Sequence, residues 1–377
     1  MEAVEGKPPG NSHRWPAEGL GRVPYWVYSD PEVYAREQAR IFSGPYWNYV
    51  ALEAEISNPG DFVRSHVGER SVVVVRDKAG GINVMLNRCA HRGVQFCRTN
   101  WGNTHSFTCP YHQWSYDLKG KLTGVPFRRG VHGNGGMPED FDPAKNGLTS
   151  LGVASRNGVI FASFAPAVPP LEEYLGPAML GYFDRVFDGR ALRVLGYSRQ
   201  RIPANWKLMF ENIKDPYHAS LLHVLLVTFG LFRADFKLKD PRLLDPVREF
   251  PGSATVVMQT LWPNIIIQQQ SNTLAMRQLV PRGPELFDLM WTFFGYADDT
   301  PEMTQRRLRQ ANLMGPAGLV SIDDGEVMEF SQQGVRQRPG DAGVLEMDGR
   351  GTDDREHMVT EAAIRAFYKH YREVMEL

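Results

Sequence analysis

The stretch "CAHRGVQFCRTNWGNTHSFTCPYHQW", residues 89–114, sets a Cys-x-His pair and a Cys-x-x-His pair on two short turns, with seventeen residues between His91 and Cys109. Gly and Pro stand beside the pairs, in "CAHRG" and "CPYH", and let the backbone wrap tightly round a site. Two thiols and two imidazoles in this order suit a tetrahedral zinc or an iron–sulfur cluster. The pairing says more than the mixture does. Each turn donates one Cys and one His, so one metal of a two-iron cluster can take both thiolates and the other both imidazoles. Neutral imidazoles in place of two thiolates remove negative charge and raise the potential, which suits such a cluster to relay one electron onward.

That is the Rieske arrangement; a structural zinc or a chance gathering of core residues is the bland alternative. Cys97 has no partner at ligand spacing and reads as a buried free thiol. Outward from the stretch, residues 46–163 have the texture of a small all-β domain. Short β-rich runs ("WNYVALEAEI", "SVVVVRD", "INVMLN", "SFTCPY", "GVASRNGVIFASF") alternate with turns such as "DKAGG" and "NG", and the ligand pairs fall in loops. Before this domain, an Asp-Pro start opens an amphipathic helix, "PEVYAREQARIFS", over residues 31–43. From about Leu171 helical patterns return in "LEEYLGPAMLGYFDRVF" and "NWKLMFENIKDPYHASLLHVLLVTFG". Strand-like runs follow: "ATVVMQTLWPNIIIQQQ" and "TLAMRQLVP", joined by a Ser-Asn turn, then "FDLMWTFFGYA". A last helix, "TEAAIRAFYKHYREVME", opens on Thr360 as N-cap. The order predicts an α+β fold, with an antiparallel sheet and helices packed on one face.

Composition narrows the class. A chain of 377 residues has room for about two domains. Lys and Arg number 42 against 43 Asp and Glu, without a basic block, so neither nucleic acid nor a membrane surface is an expected partner. The start, "MEAVEGKPPGNSHRWP", lacks the basic head and apolar core of a secretory signal and reads as a flexible arm. Apolar stretches such as "LLHVLLVTFGLF" fall short of the roughly 18 to 20 residues a membrane span needs. Three cysteines make no disulfide framework, and a reducing cytoplasm is expected.

A second metal site would turn an electron carrier into an enzyme. The segment "ENIKDPYHASLLH", residues 211–223, offers Asp215, His218 and His223. Asp215 and His218 are one helical turn apart and can touch. His218 and His223, five apart, align on a π-type turn. An oxygen-activating Fe(II) takes two His, one carboxylate and open positions. The carboxylate must come from elsewhere, and "GPAGLVSIDDGEVMEF" supplies Asp323 and Asp324 in an apolar setting; the alternative for each is a solvated turn residue.

With these residues assembled, the sequence resembles the α subunits of Rieske non-haem iron ring-hydroxylating oxygenases, from about residue 14 to the C-terminus. "CAHRG", "CPYHQWSY", "NWKLMFENIKDPYH" and "GPAGLVSIDDGEV" carry the resemblance. In texture it is most similar to oxygenases of small aromatic acids, the salicylate 5-hydroxylases, with terephthalate and anthranilate dioxygenases near. "GVPFRRGV", "NGGMPEDFD", "FGYADD" and "RQANLMGPAG" are the shared phrases. The resemblance implies an all-β Rieske [2Fe-2S] domain, residues 44–163, inserted in a helix-grip catalytic domain formed by residues 1–43 and 164–377. It implies that Cys89 and Cys109 hold one cluster iron and His91 and His112 the other. It further implies that His218, His223 and Asp324 hold a mononuclear Fe(II), with Asp323 the less favoured acid. Asp215 would link His218 to Rieske His112 of a neighbouring subunit, which makes a head-to-tail homotrimer part of the mechanism; a small β subunit completing α3β3 is also implied. Electrons would come from NAD(P)H indirectly, through a reductase and its ferredoxin or cluster. The implied reaction is hydroxylation of an aromatic acid with O2, salicylate to gentisate first, with cis-dihydroxylation of anthranilate or terephthalate as the alternative. A Rieske electron carrier without catalysis is the alternative of another class, and it would have no use for Asp215, His218, His223 and Asp324.

One departure stands out. Relatives carry several tens of residues between the positions of "LFRAD" and "FKLKD", where Asp235 here runs directly into Phe236, and a few more near "GVHGNGG". A loop missing from the recorded chain is preferred to a true deletion, which would leave the substrate entrance unusually open. For the substrate, Arg277 in "TLAMRQLVP" is the candidate anchor of a carboxylate, with Ala275 beside it leaving room for a ring. Alternation along that strand also permits the reverse, with the more apolar Leu274, Met276, Gln278 and Val280 inward and Arg277 in solvent. Met209, Phe210, Leu222 and Leu225 would form an apolar wall, or simply core.

Overall fold

A computed structural model of the chain describes residues 13–219, 221–222 and 245–377. The N-terminal arm through residue 12, His223 and Leu225, and the Asp235–Phe236 junction lie outside the described residues. Among the described residues no helix is long and apolar enough to cross a membrane.

The β-rich middle of the chain forms three small antiparallel sheets. One has the order Gly152–Arg156, Val159–Ser163, Asn48–Leu52. A second runs Ile82–Leu86, Arg70–Arg76, Asp61–Val67, Trp101–Asn103, and a third Phe107–Thr108, Ser115–Tyr116, Leu122–Gly124. The valine run of Arg70–Arg76 explains their stacking, because a strand apolar on both faces must be covered on both. Val73 and Val75 pack with Phe96, Tyr116, Cys89 and Cys109, while Val72 and Val74 pack with Val50, Ile160 and Ala162. The metal-ligand candidates therefore sit at the end of a packed core.

Helix α1 (Pro31–Glu37) starts where expected, with the Asp30 carboxylate accepting the Glu32 and Val33 N–H groups, and continues as one wide π-type turn through Phe42. After the β domain come α2 (Leu171–Val186), kinked at Gly176–Pro177, then α3 (Trp206–Lys214) and α4 (Pro216–Ala219). The later helices are α5 (Pro301–Met314), α6 (Leu319–Gln337) and α7 (Ala362–Met375). The N-cap of α7 is Glu361 rather than Thr360, whose Oγ1 accepts the Ala362 N–H at 3.1 Å from one residue earlier.

The second sheet system is a five-stranded antiparallel sheet in the order Leu192–Ile202, Leu286–Tyr296, Thr273–Gly283, Ile265–Gln270, Val256–Leu261. Its edge strand Leu192–Ile202 escapes sequence reading, because most of its residues are only half-buried or exposed and carry no apolar face. The run "ATVVMQTLWPNIIIQQQ" is two strands, turned at Trp262–Asn264. The expectation of helices on one face needs correction, since both faces are covered. Ile266, Ala275, Leu279, Leu289 and Trp291 pack toward α3 and α7, whereas Ile265, Ile267, Leu274, Met276 and Phe294 pack against Phe183 and Phe187 of the α2 segment and Tyr49 and Phe161 of the β domain. Three consecutive isoleucines, 265–267, impose this, because successive side chains point to opposite faces. The strand Thr273–Gly283 is consequently interior from Thr273 through Pro281, so the alternative that left Arg277 in solvent is excluded; it is 3% exposed.

Candidate active site

The two ligand loops are built alike. In the first, the Gly93 N–H donates to Cys89 O at 2.9 Å and the Cys89 N–H to Val94 O at 2.8 Å. In the second, Gln113 N–H donates to Cys109 O at 3.0 Å and Cys109 N–H to Trp114 O at 2.8 Å. Each loop needs a left-handed residue at the same place, Gly93 at φ 74° and Gln113 at φ 58°, which accounts for the glycine in "CAHRG". This shared geometry points both cysteines inward, where Cys89 and Cys109 are each 2% exposed. The thiols adjoin: burial, and then the Cys89 thiol beside it, push the Cys109 thiol up. Both imidazoles stay half-buried at the rim, with ring centroids 4.6 Å apart. His91 lies flat on Trp114 at 4.7 Å, and Tyr111 covers His112 at 3.7 Å.

This geometry bears on the two metals that the sequence left open. The thiols lie together on the buried side and the imidazoles together at the rim, the segregation needed when one iron takes both thiolates and the other both imidazoles. Two thiols side by side and two imidazoles side by side fit a [2Fe-2S] cluster. His91 Nδ1 is buried with no hydrogen-bond partner, an open ligand atom. The Tyr116 hydroxyl stands 3.1 Å from Cys89 Sγ and accepts the Ala90 N–H, a contact of the kind that tunes the potential of a cluster. Cys97 is a free, buried thiol as expected, with its Sγ toward Thr99 O.

The second candidate centre is organised by Asp215, where α3 ends and α4 begins. One carboxylate oxygen accepts the Tyr217 and His218 N–H groups, at 2.9 and 3.3 Å, and so caps α4. The other lies 3.3 Å from His218 Nδ1. His218 Nε2 is thereby turned toward α6, where Asp324 Oδ1 stands 3.6 Å away. Asn212 joins the two, donating to Asp324 Oδ1 at 2.9 Å with its amide nitrogen 3.4 Å from His218 Nε2. Asp324 is 5% exposed on a helix, not in a solvated turn, while Asp323 beside it is half-buried. α4 is α-helical as far as Ala219, and the Leu221 and Leu222 N–H groups return to His218 O. The π-type spacing to His223 falls outside the described residues. One His and one carboxylate thus approach each other across α4 and α6. Asn212 is not anticipated, because its importance comes from α6 crossing α3 and leaves no mark in local pattern.

Arg277 enters the same region from the sheet. Its guanidinium lies over the Trp291 ring at 4.4 Å, and Trp291 is its direct cross-strand neighbour. Nη1 donates to Gln268 Oε1 at 3.3 Å, Nη2 lies 3.4 Å from Met209 Sδ, and Nε has no partner. Burial pulls its pKa down to about 10, against the attraction of the Asp324 charge. No carboxylate among the described residues forms an ion pair with it, an uncommon state for a buried guanidinium. Met209 thus packs against Arg277, while Phe210 lines a cavity of about 730 Å³ with Lys214, Trp262, Phe367 and His370.

Known proteins place these two centres in one family. Residues 46–133 match the Rieske [2Fe-2S] domain, and residues 245–377 match the catalytic domain of the ring-hydroxylating α subunit. The chain is 53% identical to the large oxygenase component of salicylate 5-hydroxylase from Ralstonia sp., over 96% of each chain. The chain belongs to the Rieske ring-hydroxylating oxygenases, as a large α subunit. It is also 44% identical to the anthranilate 1,2-dioxygenase large subunit of Burkholderia cepacia, over 96% of this chain and 95% of that one. The fold superimposes on naphthalene 1,2-dioxygenase from Rhodococcus sp. with a TM-score of 0.78, 26% identity and 94% of both chains covered. Membership of this oxygenase family brings a Rieske cluster, a mononuclear iron in the catalytic domain and electron supply from NAD(P)H through a reductase. The alignments with the two enzymes run over 406 and 402 positions, so these relatives hold residues with no counterpart among the 377 here.

Proposed function

We propose that this α subunit hydroxylates a small aromatic carboxylate, with salicylate to gentisate as its reaction. The observation that carries the reading is 53% identity, spread over 96% of both chains, with a large component named for salicylate 5-hydroxylation. The interior Arg277, which among the described residues pairs with no carboxylate, supports it by offering a charge-assisted, bidentate seat for the substrate carboxylate. Trp291 holds the guanidinium plane and Met209 flanks it, so the ring would be oriented by its acid group and enclosed by apolar side chains.

In this reading residues 44–163 form the cluster domain, inserted between residues 1–43 and 164–377 of the catalytic domain. Cys89 and Cys109 hold one cluster iron, and His91 and His112 the other. His218, His223 and Asp324 hold the mononuclear iron, which when bound supplies reductive activation of O2. The chain's own residues fix what surrounds that chemistry. Asn212 holds the Asp324 carboxylate on its His218 side, and the Asp215 carboxylate, 3.3 Å from His218 Nδ1, favours the tautomer that leaves Nε2 as ligand. Asp215 also provides the short electron path from the partner subunit's His112, so the working form is a homotrimer of α subunits, completed by a small β subunit.

The test is product identification after protein reduced through its reductase meets salicylate and O2. Gentisate is the expected product. Unconverted salicylate, from protein with both iron sites full, overturns the assignment, and a cis-diol from anthranilate or terephthalate would replace it.

A further inference from the structure

A half-buried acid lies next to the proposed electron path and belongs to no ligand set. Glu211 is one helical turn before Asp215 on α3. Tyr368 of α7 donates its hydroxyl to Glu211 Oε1, and the Tyr28 hydroxyl lies 3.0 Å from that of Tyr368. Lys207, one turn earlier on α3, is the nearest cation, but its charge is already used. Its Nζ lies 2.6 Å from Glu37 Oε1, and both side chains are 0% exposed. Glu37 further accepts the Tyr371 hydroxyl at 2.7 Å and the Trp206 indole N–H at 2.8 Å, which makes it a saturated carboxylate. Among the described residues Glu211 has no ion pair of its own, only the two hydroxyls and the distant field of Lys207. Burial pushes its carboxyl up to about 7, the hydroxyl bonds and Lys207 oppose the rise, and the Asp215 charge adds to it.

Two carboxylates one turn apart in a poorly solvated site resist being ionised together. Among the described residues Glu211, unlike Asp215, touches neither His218 nor backbone N–H groups that would hold it ionised. We propose that Glu211 is a positioning residue that exchanges one proton beside the Asp215–His218 contact, and that its protonated form leaves this contact a single negative charge. One proton moves between the Glu211 carboxyl and water, and nothing is oxidised or reduced in that step. An electron arriving at the metal side of His218 adds negative charge, so it is favoured while Glu211 is neutral and disfavoured once Glu211 is ionised. The inference rests on the reading of Asp215 given above for its effect on electron transfer, but the titration of Glu211 does not.

Infrared difference spectra of the holoprotein between pH 6 and 9 test the titration. A carboxylic acid C=O band should vanish with a midpoint near pH 7 in the native chain and be missing from the Glu211→Gln spectrum, since the amide still accepts the Tyr368 bond. Tyr368→Phe removes a bond that favours the ionised form, and should move the midpoint up by about one unit. The same band in Glu211→Gln, or an unmoved midpoint in Tyr368→Phe, overturns the assignment. In stopped-flow reoxidation of the reduced cluster, native protein should slow several-fold as pH rises through 7 and Glu211→Gln should not. Equal pH dependence in both overturns the positioning role. Unchanged transfer in Asp215→Ala would instead remove the electron path while leaving the infrared result standing.

Discussion

Replacing Arg277 by Met separates binding from stability, because the two should move in opposite directions. Methionine has similar length and keeps the apolar stem against Trp291 and Met209, so the substitution removes little but charge. A hydrogen bond to a charged group contributes about 1.5 to 3 kcal/mol, and a bidentate carboxylate makes two. Losing the pair should cost about 3 to 5 kcal/mol, at about 1.4 kcal/mol per tenfold, so the substrate dissociation constant should rise by about 100- to 4000-fold. Stability should change the other way. Burial pulls the Arg277 pKa below its ordinary value, to about 10, which means that the folded state disfavours the charge it carries. The sign follows from that: a base whose folded pKa is depressed penalises folding at every pH below the folded value, hence throughout the physiological range. Arg keeps its proton, so the penalty remains as a cost of about 1 to 3 kcal/mol, and Arg277→Met should raise the melting temperature by about 2 °C or more. Calorimetric titration with salicylate and with salicylamide, beside thermal unfolding, measures both effects. Salicylamide, which has no carboxylate, should bind native and variant protein within a few-fold of each other. Undiminished salicylate binding by a stably folded Arg277→Met variant would refute the anchor, and a lowered melting temperature would refute the claim that the buried charge is unpaired.

Other residues give equally direct outcomes. Asp215→Ala should leave the cluster absorption intact and cut turnover by at least about a hundredfold, while Asp215→Asn, which still caps α4, should lose turnover as fully, separating the His218 contact from helix capping. Cys97→Ala should keep the cluster signal in electron paramagnetic resonance and Cys109→Ala should abolish it, because only Cys109 shares a loop geometry with Cys89. Lys207→Met should lower stability to urea by about 3 to 5 kcal/mol, since it strands the Glu37 carboxylate in the core between α1 and α3.

Much of the cluster site is legible in sequence because its ligands are local. A turn of four or five residues with glycine or another left-handed residue at a fixed place brings Cys and His together on one loop, and "CAHRG" and "CPYHQW" each spell out such a turn. Asp215 and His218 are legible for the same reason, one helical turn apart. The strands with alternating or continuous apolar runs are legible too, whereas Leu192–Ile202 and Asp61–Val67 are not, because their burial depends on neighbours far along the chain.

What the sequence determined by itself was therefore the chemistry available: two thiols, three candidate imidazoles at ligand spacing in the described residues and an acid pair. Only the tertiary structure decided how that chemistry is arranged. It put the two thiols side by side and the two imidazoles side by side, the arrangement of a Rieske cluster. It brought Asp324 of α6 across to His218 and set Asn212 between them, over more than a hundred residues of chain. It turned Arg277 inward, because the sheet is covered on both faces and period-two alternation alone cannot say which face meets water. Local spacing is fixed by bond geometry and can be read along the chain, but burial and long-range contact depend on how separate elements pack, and no residue carries that information alone.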